Sequence, residues 1–425
     1  MINHSNYWLK NAHIPTCLIV DNQFIPHTKE NLCLCDIQIQ EGKINQIIPA
    51  SNTIGIDLQK GIVLPCFVDI HTHLDKGHIF ERSPNLQGDF KTALETVKKD
   101  SILWNEEDLY QRMEFGLKCS YAHGTIAIRT HLDCHENQAD TSLKVWQQLQ
   151  QKWQNKINLQ AVSLISLDYF LTENGVKLAD KIAEIGGILG GVAYTNPELE
   201  IQLEKVFQLA KQRNLDLDFH ADENGEIDSI CLQKIAEIAI KTNFTGNILC
   251  GHCCSLSVQP EGVVQKTINL VKEANINIVS LPMCNLYLQD RQENITPFWR
   301  GITKVKELKK AGVKVTFASD NCRDPFFGFG DHDLLEVFNQ SVRIGHLDTP
   351  YSDWITSISK IPADLMKLPE LGRIGVNLPA NLVVFKARYF SELLSRNQRD
   401  RLVIRNGKII KNKLPKYKQL DQLNH

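Results

Sequence analysis

The strongest constraint on the fold is an alternation, between residues 61 and 320, of short β-like runs with amphipathic helical stretches. The β-like runs lie at 62–70, 125–131, 159–166, 188–193, 215–220, 247–252, 276–280 and 313–319. Between them, helix formers with apolar residues three and four positions apart predict helices at 106–122, 198–213, 228–242, 261–274 and 302–311. Eight strands alternating with helices predict an α/β fold, a (β/α)₈ TIM barrel. An open doubly wound sheet is the alternative, but no glycine-rich phosphate loop follows the first run.

The two ends of the chain have a different pattern, with β-like runs at shorter spacing. These runs lie at 16–20, 33–39, 43–49, 381–386 and 402–410, and turns are expected at Glu41-Gly42 and Asn406-Gly407. We therefore predict that residues 1–60 and 371–425 form a small β-sandwich, and that residues 61–370 form the barrel.

Composition excludes several classes of function. Apolar residues make up 43% and charged residues 23% of the 425 positions, which is ordinary for a globular protein. The net charge of −2 argues against a nucleic acid partner, because no basic excess offsets the phosphates. No apolar run approaches the ~20 residues that span a bilayer, so no membrane association is expected. The first six residues lack the pattern of an export signal, and we expect a cytoplasmic protein.

The twelve cysteines raise the question of redox chemistry. Many of them fall in apolar-patterned segments, where a free thiol acts as a small hydrophobic group. Cys250-Gly251-His252-Cys253 matches the tetrapeptide of disulfide isomerases, but that motif needs a thioredoxin-like unit with its first cysteine at a helix N-terminus. Here Cys250 closes a strand-like run, so we favour a role without redox chemistry.

Metal-ligating side chains follow five of the predicted strands. His71-Thr72-His73 comes directly after the first apolar run, and alternate side chains of a strand share a face, so both imidazoles point the same way. The other such residues are His131, Asp133, His220, Glu223, His252 and Asp320. In a barrel the carboxyl ends of all strands face one mouth, where these side chains are expected to converge. The sequence therefore predicts a metal site.

The donor set also predicts a class of reaction. Three imidazoles and a carboxylate suit a divalent ion such as Zn²⁺ or Fe²⁺ and leave a position open for water. A bound ion brings the pKa of that water toward neutrality, and a nearby carboxylate and imidazole can move protons. These residues predict a metal-assisted hydrolase, but they do not identify its substrate.

Seven segments resemble the amidohydrolase superfamily and, within it, the cytosine deaminases. The segments are 63–75, 129–133, 218–223, 251–252, 285–291, 301–307 and 319–326. Their order and spacing extend through nearly the whole chain, which makes the resemblance specific for the superfamily. It implies a hydrolytic deaminase of a free nucleobase, with cytosine as the expected substrate and uracil and ammonia as the products.

The resemblance also implies roles for individual residues. One divalent ion per subunit, Fe²⁺ or Zn²⁺, would be held by His71, His73, His220 and Asp320. His252 and Asp320 would orient and deprotonate the water, which attacks the amino-bearing ring carbon as hydroxide. Glu223 would carry protons to the ring nitrogen and then to the departing amine. No lysine is in a bridging position at 192–194, so a single metal is expected.

Three departures from the cytosine deaminase pattern concern the substrate, and we assign substrate binding to these positions. Ser166 stands where the family has a glutamine, or the third run is misaligned by a residue or two. Asn321 replaces a second aspartate, and Phe326 replaces a tryptophan. A serine cannot offer the donor and acceptor pair of a primary amide. The alternative is therefore an aminohydrolase of another ring, such as a triazine or a pterin, and a third hypothesis is a non-catalytic metal-binding barrel.

Three more residues near the site have two interpretations each. Lys76 either neutralises a loop carboxylate or touches the substrate. His131 and Asp133 either fix the tautomer of a ligand histidine or form hydrogen bonds within the barrel rim. The expected partners are a small heterocyclic amine and water, and the resemblance implies a homo-oligomer.

Overall fold

The computed structural model describes residues 6–20, 24–135, 138–351, 353–411 and 413–423. The chain divides into two compact units. The first comprises Met1–Asp69, Lys118–Ala127 and Asp333–Pro415, and the second comprises Ile70–Leu117, Ile128–His332 and Lys416–His425. Residues 1–5, on which the expectation about an export signal partly rests, lie outside the described residues.

In the described part of the chain the strands are β1 (Asn6–Pro15), β2 (Leu32–Gln40), β3 (Lys43–Pro49), β4 (Ile56–Asp57), β5 (Val63–Pro65), β6 (Phe67–Thr72), β7 (Thr125–Asp133), β8 (Asn158–Leu164), β9 (Leu189–Ala193), β10 (Leu217–Ala221), β11 (Ile248–His252), β12 (Ile276–Ser280), β13 (Val315–Phe317), β14 (Leu382–Val384), β15 (Leu402–Arg405) and β16 (Lys408–Ile409). The α-helices are α1 (Phe90–Asp100), α2 (Glu106–His123), α3 (Gln138–Trp153), α4 (Glu173–Glu184), α5 (Leu199–Arg213), α6 (Cys231–Lys241), α7 (Glu261–Glu273), α8 (Pro282–Leu288), α9 (Val305–Lys310), α10 (Leu334–Gly345), α11 (Lys360–Leu365) and α12 (Phe390–Leu393). Short 3₁₀ helices lie at Thr16–Leu18, Ser101–Leu103, Leu167–Leu171, Cys254–Ser257, Trp354–Ile358 and Tyr417–Leu423. None of these helices has both the length and the apolar character that crossing a membrane requires.

Strands β6 to β13 correspond to the eight predicted runs, and helices lie between them. Strands β9 to β13 form a parallel sheet in the order β13-β12-β11-β10-β9, and β6, β7 and β8 form a second sheet in that order. Isolated parallel bridges join Thr72 to Asp320, Val162 to Ile188 and Ser166 to Val192. These strands are buried along almost their whole length, as is typical of sheets covered on both faces. The fold is a mixed α/β fold.

The first unit contains two four-stranded sheets that share one apolar core. Their orders are β3-β2-β1-β4 and β16-β15-β14-β5. Leu9, Ile14 and Ile37 from the first sheet, and Leu382 and Ile404 from the second, are all buried in this core. The expected hairpin at the C-terminal end is present, since β15 and β16 pair antiparallel around Asn406-Gly407, whose φ angles are 44° and 71°. Positive φ at both central residues is typical of a tight hairpin turn.

Two predicted strands differ from the structure. The run at 16–20 is a 3₁₀ helix at Thr16–Leu18, and the strand lies before it as β1. The Thr16 N–H still donates to the Asn31 carbonyl at 3.0 Å, but the Ile19 N–H then donates back to the Thr16 carbonyl at 3.2 Å, and this turn replaces the extended backbone. The single run at 62–70 is two strands, because the Cys66 N–H donates to the Asn381 carbonyl at 2.9 Å and the chain leaves the sheet of β14 at that point. An apolar run alone does not show such a change of partner.

Candidate metal centre and active site

His71 and His73 lie side by side at the end of β6, as the alternation of strand side chains predicts. Their ring centroids are 5.3 Å apart, and both Nε2 atoms face Asp320 Oδ1, at 3.5 Å and 3.2 Å. The Asp320 N–H donates to the His71 carbonyl at 2.9 Å, and this hydrogen bond holds the loop after β13 against β6. The carboxylate therefore lies beside the histidine pair, although about 250 residues of sequence separate them.

Three further histidines complete the cluster. His220, on β10, approaches His73 with 3.3 Å between the two Nε2 atoms. The ring centroid of His252, at the end of β11, is 5.0 Å from that of His220, and the ring centroid of His131, on β7, is 4.0 Å from that of His71. All of these rings are buried. Four strands and the loop after β13 thus bring their polar side chains to one point of the second unit.

The residues of this cluster fit a divalent cation. Among the described residues no hydrogen-bond partner is present for either ring nitrogen of His71, or for Nδ1 of His73 and of His220. Burial, together with the mutual repulsion that neighbouring imidazoles would have if protonated and the nearby charge of Lys76 or Arg129, holds the pKa of these three imidazoles well below its usual range. The rings are therefore neutral, which is the form that binds a metal. Buried polar atoms without partners are destabilising, and a bound cation would remove that cost.

Two residues of the cluster have their backbone in the left-handed region. The φ angle is 68° at His252 and 61° at Asp320. A non-glycine residue in this region costs of order 1–3 kcal/mol, and such residues are concentrated at functional sites. His252 is the last residue of β11 and Asp320 lies in the loop after β13, and their place in the cluster supports a functional reason for this strain.

Glu223 lies at the edge of the cluster, two residues after β10. Its Oε1 is 3.1 Å from His252 Nδ1, and burial together with the Asp320 charge raises the pKa of its carboxyl well above the usual range. The Asn285 amide donates to His252 Nδ1 at 3.0 Å and to Glu223 Oε1 at 3.4 Å. Gln289 Nε2 donates to the Glu223 carbonyl oxygen at 3.1 Å. A carboxyl of raised pKa beside an imidazole is suited to proton transfer.

Asp222 fixes the turn that carries Glu223. Its φ is 51°, and its carboxylate accepts hydrogen bonds from the N–H groups of Cys231 and Leu232 at 3.0 Å and 2.9 Å. These are the first backbone donors of α6, and they have no partner within the helix. The Asp222 side chain therefore ties the loop after β10 to α6 and holds Glu223 against the cluster.

Sequence reasoning assigned no role to Asp222, Asn285 or Gln289. The only signal for the two amides was their spacing of four residues, which puts both on the same face of a helix within a segment that resembles the superfamily. Neither amide titrates, so neither is prominent as a candidate acid, base or ligand.

A cavity of about 280 Å³ opens beside the cluster. Its apolar lining comes from Phe90, Leu94, Val97, Leu164, Ile165 and Phe326. His73, His220, His252 and Glu223 line the same cavity. A flat aromatic ligand bound here would therefore meet apolar walls and, at one end, the polar groups of the cluster.

The three predicted substrate-binding residues, Ser166, Asn321 and Phe326, all line this cavity. Asn321 Nδ2 donates to Asp324 Oδ2 at 2.8 Å, and the Asn321 carbonyl oxygen accepts a hydrogen bond from the Cys284 thiol at 3.6 Å. The Phe326 ring lies beneath the Lys76 ammonium, with 5.4 Å between the nitrogen and the ring centroid. Their location agrees with substrate binding, and their part in it stays a prediction.

Comparison with known proteins identifies the family. The model of the amidohydrolase family matches residues 109–411, well over half of the chain. The chain belongs to the amidohydrolase family. The resemblance to the superfamily inferred from the sequence is thereby confirmed.

This amidohydrolase is similar in sequence to two relatives and in fold to a solved structure. A pterin deaminase of Rhizobium rhizogenes (strain K84 / ATCC BAA-868) is 44% identical over 425 residues, 99% of this chain and 97% of that protein. The N-isopropylammelide isopropyl amidohydrolase of Pseudomonas sp. (strain ADP) is 25% identical over 289 residues, 66% of this chain and 68% of that protein. The structure of 5-methylcytosine deaminase from Klebsiella pneumoniae with 5-fluorocytosine has a TM-score of 0.82 at 24% identity and covers 96% of this chain and 98% of its own. This last similarity shows the fold alone.

In this amidohydrolase the two interpretations of Lys76 are compatible. Lys76 Nζ donates to Asp133 Oδ1 at 2.7 Å, and both side chains line the cavity. The Asp133 N–H donates to Asp75 Oδ2 at 2.7 Å, and burial and the Asp133 charge raise the pKa of Asp75 to about 7. Lys76 thus neutralises a loop carboxylate and also faces the space where a substrate would bind.

His131 lies within the histidine cluster and also forms a polar contact on its other side. Its Nε2 is 3.3 Å from Asp218 Oδ1, and Arg129 Nη1 donates to Asp218 Oδ2 at 2.9 Å. Asp218 therefore orients the imidazole while Arg129 balances the buried carboxylate. His131 thus contacts Asp218 on one side and the His71 ring on the other, and whether it fixes the tautomer of a ligand or belongs to the barrel rim stays a prediction. Sequence reasoning had not singled out Asp218.

The cysteines of the Cys250-Gly251-His252-Cys253 motif are not arranged for redox exchange. Both are free, buried thiols, and burial raises the pKa of each well above the usual range. Redox cysteines instead have lowered pKa values and lie at helix N-termini, whereas Cys250 lies on β11. The structure supports the interpretation without redox chemistry.

Gly251 leaves room for the His71 ring, and this yields a prediction. A Cβ atom at Gly251 would lie 3.0 Å from His71 Cε1 and 3.4 Å from Nδ1. We expect Gly251→Ala to displace the imidazole and weaken metal binding by about 10- to 100-fold, the usual cost of disturbing a ligand's support. Competition with a chelator measures the affinity. Gly262→Ala is the control, because a Cβ atom there meets nothing within 4 Å. Equal affinity in the two variants would contradict the prediction.

Proposed function

We propose that this amidohydrolase is a metal-dependent hydrolytic deaminase whose substrate is a pterin. The observation that carries the proposal is its 44% identity, over nearly the full length of both chains, to a pterin deaminase. Cytosine, the first expectation from the sequence, has weaker support, because the likeness to 5-methylcytosine deaminase is one of fold. The alternative, another aminated heterocycle, is the better supported interpretation.

The proposal includes the architecture that the sequence predicts. Parallel bridges occur at both edges of the two sheets, between Thr72 and Asp320 and between Val162 and Ile188, so the eight strands would close into a (β/α)₈ barrel. A β-sandwich of residues 1–60 and 371–425, and a barrel of residues 61–370, belong to the same proposal. A cytoplasmic location and a homo-oligomer stay predictions.

The metal ligands in this proposal are His71, His73, His220 and Asp320, which would hold one Fe²⁺ or Zn²⁺ ion. When bound, such an ion would lower the pKa of water toward neutrality and make it a nucleophile. Neutral imidazoles and a carboxylate suit either ion. Asp320 Oδ1 lies 3.2 Å from His73 Nε2 and 3.5 Å from His71 Nε2, and the carboxylate could accept a proton from that water as well as serve as a ligand.

Glu223 and His252 would take part in moving a proton from the water to the substrate. His252 Nδ1 lies between the Asn285 amide at 3.0 Å and Glu223 Oε1 at 3.1 Å, and these two contacts orient the ring. Burial, with a contribution from His131, lowers the pKa of His252 to about 3, so the ring stays neutral. His252 and Asp320 would orient and deprotonate the water, as the resemblance implies. Glu223 would be the proton carrier, because a buried carboxyl of raised pKa beside His252 is suited to deliver a proton to the ring nitrogen and then to the amine.

The cavity lining supports a ring larger than cytosine. Phe90 and Phe326, which pack edge to face with 5.5 Å between their ring centroids, offer apolar surface to a flat bicyclic ring, and Lys76 with Asp133 offers charged groups to its polar edge. A serine at 166 lacks the amide pair that would recognise the edge of a pyrimidine, and it occupies less space than a glutamine. These features agree with a fused pterin ring.

A substrate panel tests the proposed function. Metal-loaded protein is assayed for ammonia release from pterin, cytosine and 5-methylcytosine, with chelator-treated protein as the control. We expect kcat/KM for pterin to exceed that for cytosine by at least about 100-fold, because sites that hydrogen-bond a substrate discriminate strongly. A preference for cytosine, or no ammonia from any of these compounds with metal bound, would overturn the proposal.

The second candidate function is release of an amine from a triazine ring. The 25% identity to N-isopropylammelide isopropyl amidohydrolase favours it. Adding N-isopropylammelide to the panel and detecting isopropylamine distinguishes this activity from pterin deamination.

A further inference from the structure

A second group of metal-ligating side chains lies in the second unit, apart from the histidine cluster described above. His78 comes from the loop after β6, and Cys322 and His332 come from the loop after β13. One donor atom from each lies within 4.8 Å of those of the other two. The exposed fractions of the three residues are only 2%, 1% and 2%. The proposed deamination uses none of them.

His78 is the residue that most requires a partner. Neither of its ring nitrogens has a hydrogen-bond partner among the described residues. Burial is the main reason that its pKa lies well below the usual range, so the ring is neutral and has a lone pair to offer. An uncompensated imidazole in the interior is costly, and an ion bound to it is one of the few explanations for its presence.

The geometry of the group is close to that of a zinc site. Bonds of about 2.0 to 2.3 Å in tetrahedral arrangement put ligand atoms within about 4 Å of one another, so small side-chain rotations would suffice. The His78 N–H donates to the Cys322 carbonyl at 3.1 Å, which holds the two loops together. Both histidines have positive φ, 64° at His78 and 53° at His332. Two strained backbones that present imidazoles to one thiol indicate a built arrangement.

The nearby arginines do not oppose a cation at this position. Arg112 and Arg323 both contribute to the lowered pKa of His78, so their charges reach the group. Arg112, however, pairs with Asp108 at 2.6 Å, and Arg323 pairs with Glu81. Asp108 is shared with Arg82, which pairs with Asp100 as well, so carboxylates balance these guanidinium charges. A bound ion would displace the proton of the Cys322 thiol, and the resulting thiolate would balance part of the charge of that ion.

We propose that His78, Cys322 and His332 form a second metal site, which binds Zn²⁺ or a similar divalent ion that prefers nitrogen and sulfur donors. The site would link the loop after β6, which carries His73, to the loop after β13, which carries Asp320. Its role is structural, because it would fix the two loops that supply the catalytic ligands. The inference goes beyond the proposed deamination and does not depend on it.

Sulfur distinguishes this site from the catalytic cluster, whose ligands are nitrogen and oxygen. The full-length protein is stripped of metal and titrated with Co²⁺, which gives a thiolate-to-cobalt charge-transfer band in the near ultraviolet only where sulfur is bound. X-ray absorption of the Zn²⁺ form detects the same sulfur neighbour.

We expect two equivalents of metal to bind per chain, and the charge-transfer band to grow as one of the two equivalents is added. Cys322→Ser and His78→Asn should each lose that band and one equivalent of metal. Cys66→Ser, a buried thiol that contacts the Ile404 carbonyl, should lose neither.

The spectrum of the unchanged protein tests whether a cysteine binds the second metal ion, even if a variant fails to fold. Absence of both a sulfur neighbour and a charge-transfer band would overturn the proposal and indicate a polar pocket that binds water only. A band that persists in Cys322→Ser would also overturn it, because another cysteine would then be the ligand.

Discussion

The Glu223→Gln variant is expected to bind as much divalent metal as the unchanged protein and to lose about 10²- to 10⁴-fold in kcat, the usual contribution of a positioned acid–base group. Glutamine has the same shape, and its carbonyl oxygen can still accept the Asn285 hydrogen bond seen at 3.4 Å. What it cannot do is take up a proton from water and deliver it to the ring. Steady-state ammonia release and elemental analysis of the same preparation measure the two quantities together.

The same loop supplies a matched control for Glu223. Glu226 lies three residues further on and is exposed, so Glu226→Gln makes the same chemical change without touching the cluster. We expect its kcat to stay within about twofold of the unchanged value, as is typical of surface substitutions. If Glu223→Gln kept the activity of Glu226→Gln, the proton carrier would have to be another residue. If it lost metal as well, the carboxylate would be a ligand.

Much of the site could be predicted because parallel strands impose strong rules on sequence. Strands buried on both faces are continuous apolar runs, so all eight were visible, and side chains that follow them share one edge of the sheet. His71 and His73 could be paired from strand alternation alone. Asp320 could be added because it directly follows the last of these strands.

Other features of the site depend on contacts that no periodicity records. Asp222 acts by accepting hydrogen bonds at the start of α6, and the Asn285 amide contacts His252 Nδ1. Both effects arise only after distant segments have folded together. The same reason explains the Cys66 break between β5 and β6, where the chain changes its partner strand within one apolar run. The group of His78, Cys322 and His332 was missed because loops without repeating structure bring it together.

The His73→Ala variant is expected to lose the metal of the catalytic cluster. His73 Nε2 lies 3.2 Å from Asp320 Oδ1 and 3.3 Å from His220 Nε2, so it is the side chain that connects these two ligands. Removing it takes away one donor and leaves a gap between the others. Loss of a mere supporting group weakens metal binding by about 10- to 100-fold, and loss of a ligand should exceed this range. Chelator competition and elemental analysis measure the loss, and kcat should fall with the metal content.

A control variant and a second measurement are needed to interpret the metal content of His73→Ala. His27→Ala removes an exposed imidazole of the first unit, so its metal content should equal that of the unchanged protein. In His73→Ala, the thiolate band of the Co²⁺ form should persist, because His78, Cys322 and His332 are untouched. Loss of that band together with the catalytic metal would mean that the two groups bind as one unit. Full retention of metal in His73→Ala would refute the ligand set, since the side chain between Asp320 and His220 could then be removed without effect.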